Sequence, residues 1–209
     1  FKRYLEDRGW MPKLQEGDLA CLKENKPDFI GFNYYASKSI SAYPLSDKNK
    51  IGDMVIKLLP AVEAGIYKVV KNENLNATLW GWEIDDIGLE GVCRLLWERY
   101  RLPLMITENG FGNKEVMPEE GMIQDDDRID YLHRHLLAVK RAMNVGVEFI
   151  GYCNWSFMDI VSGHSGFSKR YGLVYVNRDE FDLKDLSRSK KKSFYWYQET
   201  IACNGENIK

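Results

Sequence analysis

The chain has 209 residues, 44% of them hydrophobic and 13% aromatic, with a formal net charge of -2. That is enough for one domain with a real core, or for part of a larger one. The balance of charge gives no argument for nucleic acid or an anionic membrane as partner, and no apolar run approaches the ~20 residues of a membrane span. Phe1-Lys2-Arg3-Tyr4 opens no hydrophobic leader. The sequence begins on Phe rather than Met, so it need not start where its gene starts.

The first segment reads as helical or irregular. Gly17-Asp18 signals a helix start, Leu19 and Leu22 continue it, and Pro27 ends it. Phe29 to Tyr35 reads as an aromatic-rich strand, with Tyr34 and Tyr35 expected in the core and their hydroxyls on polar partners. From Ser37 to Thr78, Pro44, Gly52, Pro60 and Gly65 interrupt any period. A long excursion with one short helix is expected there, of the length that is usually functional or mobile. Leu89, Val92, Leu96 and Tyr100 keep helical spacing until Pro103. Leu104 to Gly110 is a short apolar run, read as a buried strand. Asp125-Asp126-Asp127 suits the positive end of a helix dipole, and Ile129, Leu132, Leu136, Val139 and Met143 make one apolar stripe closed by Gly146. Phe149 to Trp155 is a third strand, and Leu173 to Val176 a short extra one. Lys190-Lys191-Lys192 begins a final amphipathic helix and is expected to form a solvated face.

This alternation of helix and strand is that of an α/β protein with parallel strands. No G-x-G-x-x-G follows a strand and no G-x-x-x-x-G-K-[ST] occurs, so neither a dinucleotide fold nor a P-loop is supported. Cys21, Cys93, Cys153 and Cys203 lack the paired short spacings of a zinc site. They are expected to be reduced, packed thiols of a cytoplasmic protein. His133 and His135 lie two apart on a helix and so point to different sides, and His164 stands alone in a loop. No metal site follows.

Three strands end in polar clusters: Asn33 with Tyr35, Glu108 with Asn109, and Asn154 beside Trp155. A carboxylate at the end of a buried strand has either reached solvent or has a partner and a task. In a barrel of parallel strands, catalytic side chains sit at the carboxyl ends of strands. An aromatic ring, a carboxylate and amides together suit a sugar, whose C–H faces stack and whose hydroxyls hydrogen-bond.

Asp28-Phe29-Ile30-Gly31-Phe32-Asn33-Tyr34-Tyr35, Trp80-Gly81-Trp82-Glu83-Ile84-Asp85, Ile106-Thr107-Glu108-Asn109-Gly110 and Trp155-Ser156-Phe157-Met158-Asp159 occur in that order. Together they closely resemble the C-terminal portion of glycoside hydrolase family 1, the β-glucosidase and 6-phospho-β-glucosidase family. The resemblance runs through the whole chain to Trp196-Tyr197. It implies a (β/α)8 TIM barrel whose members are retaining glycosidases. Residues 1–209 would be the C-terminal segment of that single barrel domain, about strands 6–8 and their helices, too few to close a barrel alone.

By resemblance, Glu108 is the nucleophile, Tyr35 hydrogen-bonds and orients it, Asn33 belongs to the same pocket, and Trp155 stacks under the sugar. A hydrogen bond to the ionised carboxylate would keep it charged. Where ordinary β-glucosidases carry Asn-Phe-Glu-Trp, this chain has Ile160-Val161-Ser162-Gly163. A carboxylate there would repel a 6-phosphate, whereas a serine donates to it. Ser162, Lys169 and Tyr171 match the phosphate-binding trio of the phospho-specific members. Taken alone, Lys169 and Arg170 also read as a turn's solvated charges. Phospho-galactosidases tend to carry Trp after that serine, so Gly163 points to a gluco substrate. The implied reaction is hydrolysis of 6-phospho-β-D-glucosides in the cytoplasm, without metal or organic cofactor.

Retaining hydrolysis needs a second carboxyl ~5–5.5 Å from the nucleophile. The family places it in an Asn-Glu-Pro motif after an earlier strand. This chain has only Asn72-Glu73-Asn74, with no Pro and no strand expected before it. The acid/base Glu is therefore expected to be missing and the isolated chain inactive, its open edges covered by the rest of the barrel or by self-association. A β-glucosidase without phosphate specificity, or an inactive fragment that only self-associates, are the alternatives.

Overall fold

The structure, a computed structural model, describes residues 2–42, 62–63, 66–163 and 165–209. His164 and the stretch containing Pro44, Gly52 and Pro60 lie outside them. The elements are α1 (Lys2–Asp7), α2 (Asp18–Glu24), β1 (Ile30–Asn33), β2 (Ser39–Ala42), β3 (Val62–Glu63), β4 (Tyr67–Val70), α3 (Asp86–Tyr100), β5 (Leu104–Asn109), α4 (Asp126–Asn144), β6 (Phe149–Asn154), β7 (Val174–Val176), β8 (Arg188–Lys190) and α5 (Lys192–Ala202). No helix of the described residues is long and apolar enough to cross a membrane.

The centre is a parallel sheet ordered β1–β5–β6, with Ile30 opposite Leu104 and Leu104 opposite Phe149. Helices α3 and α4 cross one face. Leu104 and Ile106 alternate toward that face and are fully buried against Leu89, Cys93, Ala138 and Ala142. The opposite face carries Gly31, Asn33, Thr107, Ile150 and Cys153, all exposed. Three strands covered on one side form an open sheet, not a closed barrel.

Helix α3 starts at Asp85, whose carboxylate accepts the Gly88 amide at 2.8 Å. It stops at Arg101 in a left-handed conformation, φ 52°, before Pro103. Arg141 of α4 reaches Glu90 of α3 at 2.6 Å, and Arg134 reaches Asp86.

Four expectations are corrected. The stretch from Ser37 to Thr78 is not only a loop: β2, β4 and β3 pair in that order as an antiparallel sheet. The short helix expected in that stretch falls on residues 43–61, which lie outside the described ones. A strand, β4, does precede Asn72-Glu73-Asn74, although it belongs to that separate sheet, and Glu73 is exposed and paired with Lys71. The thiols are all free, but only Cys93 is fully packed, while Cys21 and Cys153 are exposed. On α4, Leu132 and Val139 face the core as expected, but Met143 is 51% exposed and the buried face includes Arg128, Tyr131, His135, Ala138 and Ala142. A count of apolar residues overlooks polar groups whose hydrogen bonds are met inside. Leu136 and Met143 instead line a cavity of about 580 Å³ with Tyr197 and Ile201 of α5.

His135 is fully buried, stacks on Tyr131 with ring centroids 3.8 Å apart, and its Nδ1 lies 2.7 Å from the Tyr131 carbonyl. Nε2 has no partner. Burial pushes the imidazole pKa down to about 4. Above the unfolded value of about 6.5 both states are neutral, so stability is undiminished. As pH falls from there toward 4, the unfolded chain takes up a proton that the folded one refuses. Urea unfolding is therefore expected to lose roughly 1–3 kcal/mol between pH 7 and pH 4 through this group, and His135→Gln to flatten that part of the profile.

Candidate active site

The sheet register gathers the polar strand ends. Asn33 lies opposite Glu108, and Asn109 opposite Asn154. The main chain continues the pattern: the Tyr34 amide donates to the Glu108 carbonyl at 2.9 Å, and the Trp155 amide to the Asn109 carbonyl at 2.8 Å. Buried Asn109 ties the three ends from behind, donating to the Tyr34 carbonyl at 2.7 Å and to the Tyr131 hydroxyl at 3.0 Å. Tyr152 donates to its side-chain oxygen. Gly110 permits a close approach: a Cβ there would run into the Trp155 carbonyl. Trp155, joined to Ser156 by a cis peptide, is half-buried.

The Tyr35 hydroxyl donates to Glu108 Oε2 at 2.7 Å. Burial, then the bond and charge of Glu108, push the Tyr35 pKa far up, so the phenol keeps its proton and remains a donor. The Tyr35 ring meets those of Trp82 and Tyr171 edge-on, with centroids 5.4 and 6.1 Å away. Burial, with Glu108 next, raises Tyr171 as well.

Lys169 is 2% exposed, and its ammonium sits 3.4 Å from the Trp82 ring centre, 5.1 Å from Trp80 and 5.3 Å from Tyr171. No carboxylate pairs with it among the described residues. Burial pulls its pKa down to about 8. Gly112 closes the other side: a Cβ there would lie 2.7 Å from Lys169 Cε and 3.0 Å from Tyr171 Cζ.

The structure thus brings Glu108, Tyr35, Lys169 and Tyr171 into one cluster. Asn33 is exposed beside it, accepting from the Thr107 hydroxyl at 2.6 Å. Ser162 lies in a tight turn closed by reciprocal backbone bonds with Gly166 at 2.9 and 3.1 Å. No hydrogen bond joins Ser162 to Lys169 or Tyr171 among the described residues. Glu180 braces this loop, accepting from the Phe167 and Ser168 amides at 2.7 and 2.9 Å. Sequence reasoning had no role for Trp80, Trp82 or Gly112. The Trp-Gly-Trp repeat was the one available signal.

Beneath the cluster runs a buried chain of alternating charge. Asp125 pairs with Arg128 at 2.8 Å, and Arg128 with Glu115. Glu115 pairs with Lys191, Lys191 with Asp159 at 2.8 Å, and Asp159 with Arg170 at 2.9 Å. Asp159 also accepts from the Gly172 amide at 2.9 Å, and Asp125 from the Ser193 amide at 2.8 Å. Lys191 is 0% exposed, which corrects the solvated face expected for the three lysines. Its neighbour Lys190 is exposed, but backbone direction turns Lys191 inward, where two carboxylates need a cation.

The model of glycosyl hydrolase family 1 matches residues 1–206. An aryl-phospho-β-D-glucosidase, BglC, of Bacillus subtilis is 46% identical across 99% of this chain and 44% of its own length. A phospho-cellobiase of Klebsiella oxytoca is 41% identical across 99% and 42%. In three dimensions, the β-glucosidase of Thermotoga maritima in complex with azafagomine aligns with a TM-score of 0.78 at 31% identity, over 98% of this chain and 42% of that one. The chain therefore spans less than half the length of these relatives.

Lys191→Met leaves Glu115 and Asp159 buried without their shared cation. A loss of about 3–5 kcal/mol is expected in urea unfolding. Adding Glu115→Gln should recover part of it, as a non-additive pair.

Proposed function

The chain belongs to glycosyl hydrolase family 1, and from that premise we propose that it is the C-terminal segment of a retaining glycosidase acting on 6-phospho-β-D-glucosides. The products are glucose 6-phosphate and an aglycone. Residues 1–209 supply about strands 6–8 of one (β/α)8 domain, and the cytoplasm is its place of work. Glu108 attacks the anomeric carbon, and the Tyr35 hydroxyl holds that carboxylate in place. Trp155 stacks under the sugar and Asn33 binds its hydroxyls. Lys169, Tyr171 and Ser162 take the phosphate.

One observation carries the reading: a buried ammonium with no carboxylate partner among the described residues stands in the same aromatic cluster as the Glu108 carboxylate. A buried cation that faces aromatic rings is a place for an anion. Lysine supplies the charge and the hydroxyls supply oriented donors. The names of the phospho-specific relatives support the same substrate class. The second carboxyl, which protonates the leaving oxygen and then activates water, comes from the remainder of the barrel. That remainder also covers the exposed sheet face.

The purified 209-residue chain is accordingly expected to release no aglycone from an aryl 6-phospho-β-glucoside, and to self-associate in light scattering. Turnover that Glu108→Gln abolishes would overturn the first expectation, and a monodisperse monomer the second.

In the complete glycosidase containing this segment, Lys169→Ala should lower kcat/KM on the phosphorylated substrate by about 10²-fold, roughly the worth of one strong charge-assisted hydrogen bond. The unphosphorylated glucoside should change little. With Lys169 at about 8, KM for the phosphorylated substrate should stay flat below that pH. That flat range ends at about pH 6, where the phosphate itself takes up a proton; above about 8 KM should rise, as the ammonium loses its proton, and Lys169→Ala should remove that rise. Equal loss on both substrates would refute phosphate recognition.

A further inference from the structure

We propose that Arg128 is the positioning residue that fixes the spacing between the Glu108 carboxylate and the Lys169–Tyr171 corner. The inference rests on the substrate class proposed above and adds a residue that neither motif nor cluster includes.

A guanidinium has five N–H donors in a rigid plane, and every one is engaged here. Nε donates to Asp125 Oδ2 at 2.8 Å. Nη1 donates to the Phe111 carbonyl and, at 2.9 Å, to the Tyr171 carbonyl. Nη2 donates to the Glu115 carboxylate and, at 3.3 Å, to the Arg170 carbonyl. The side chain is 1% exposed.

The Nη1 pair matters most. Phe111 is three residues past Glu108, on the segment leaving β5. Tyr171 is two past Lys169, on the segment that carries the cation. One nitrogen atom holds both main chains, so the two ends of the site are referenced to a single point. The packing between them has little slack, since even a Cβ on Gly112 would run into Lys169 and Tyr171. Lysine cannot replace this group: it has three donors on a compact ammonium and cannot meet five acceptors in a plane.

The consequence is specific to a substrate held at both ends. With phosphate in the Lys169 corner, the anomeric carbon reaches Glu108 only if the spacing is right, and an error near 1 Å can cost about 10²-fold in rate. A glucoside without phosphate is held at one end and can shift to follow Glu108. Arg128 therefore acts on kcat for the phosphorylated substrate and little on its capture.

The test is Arg128→Lys in the complete glycosidase, with kcat and KM measured on aryl β-glucosides with and without the 6-phosphate. Phosphorylated kcat should fall by roughly 30–100-fold, with KM within about threefold and unphosphorylated kcat within about fivefold. An equal fall on both substrates would mean a merely structural residue and would overturn the proposal. Where Arg128→Lys does not fold, Glu115→Gln loosens the same guanidinium while leaving it an acceptor. It should show a selective loss of about five- to tenfold, and an unselective one would overturn the proposal equally. Lys169→Ala measured alongside separates the two readings. If it lowers both substrates alike, the substrate class is wrong. If it discriminates and Arg128→Lys does not, only the positioning role is wrong.

Discussion

Six ionised groups buried in strict alternation hold the functional end of this structure together. Asp125, Arg128, Glu115, Lys191, Asp159 and Arg170 sum to no net charge. Each carboxylate among them touches two cations, or, for Asp125, one cation and the Ser193 amide and hydroxyl. Taking such groups out of water costs several kcal/mol apiece, and their attraction does little more than offset it. Burial, with Arg128 close by, pulls the Lys191 ammonium below its ordinary pKa, and its two carboxylates hold against that pull. The return is geometric. The segments after β5 and β6 and the starts of α4 and α5 can meet in only one arrangement that leaves no charge alone, so loops without regular hydrogen bonding acquire a fixed form.

The sheet adds the other half of the geometry. One face buries Leu104 and Ile106 under two helices, while the other leaves Ile150 and Cys153 bare. A strand layer finished on one side and open on the other is what a sector of a barrel looks like, with its bare face turned inward. The polar strand ends then lie on the rim. The carboxylate is carried by β5, and the cation by a loop that the ionic chain anchors through Arg170. Neither alone sets their separation.

How legible this was from sequence differs by residue. Leu104 to Asn109 was readable because a short apolar run bounded by Pro103 and Gly110 leaves few other structures. The four spaced motifs identified Glu108 and Tyr35 as neighbours although 73 residues separate them. Lys191 was misread because a run of three lysines shows charge but not direction, and its two carboxylates lie 32 and 76 residues away. The buried face of α4 was only half readable for the same reason: Arg128, Tyr131 and His135 count as polar in any period, yet their partners are carbonyls and rings inside. The β2–β4–β3 sheet was missed because its strands are at most four residues long, with β2 mostly exposed and β4 only half-buried. Trp82 stands within a motif, but nothing in its neighbours says that it faces Lys169 of a distant loop.

That contact bears on how the corner works. A carboxylate beside Lys169 would have kept the buried ammonium charged, and it would also have competed with any incoming anion. Trp82 solves the first problem without creating the second. A ring face stabilises a desolvated cation by about 0.5–2 kcal/mol, enough to oppose part of the burial that pulls Lys169 down toward 8. It offers no lone pair that an anion's charge-assisted hydrogen bonds, each about 1.5–3 kcal/mol, could not outbid. The ammonium is held and kept largely protonated near neutral pH, with no carboxylate on it among the described residues. The same logic explains why Arg170, one residue on, behaves differently. It is stitched to Asp159 and to the Val176 and Arg178 carbonyls, so its charge is already spent inside. Of two adjacent cations on one loop, the ionic chain consumes one to fix the loop and the aromatic cluster keeps the other available.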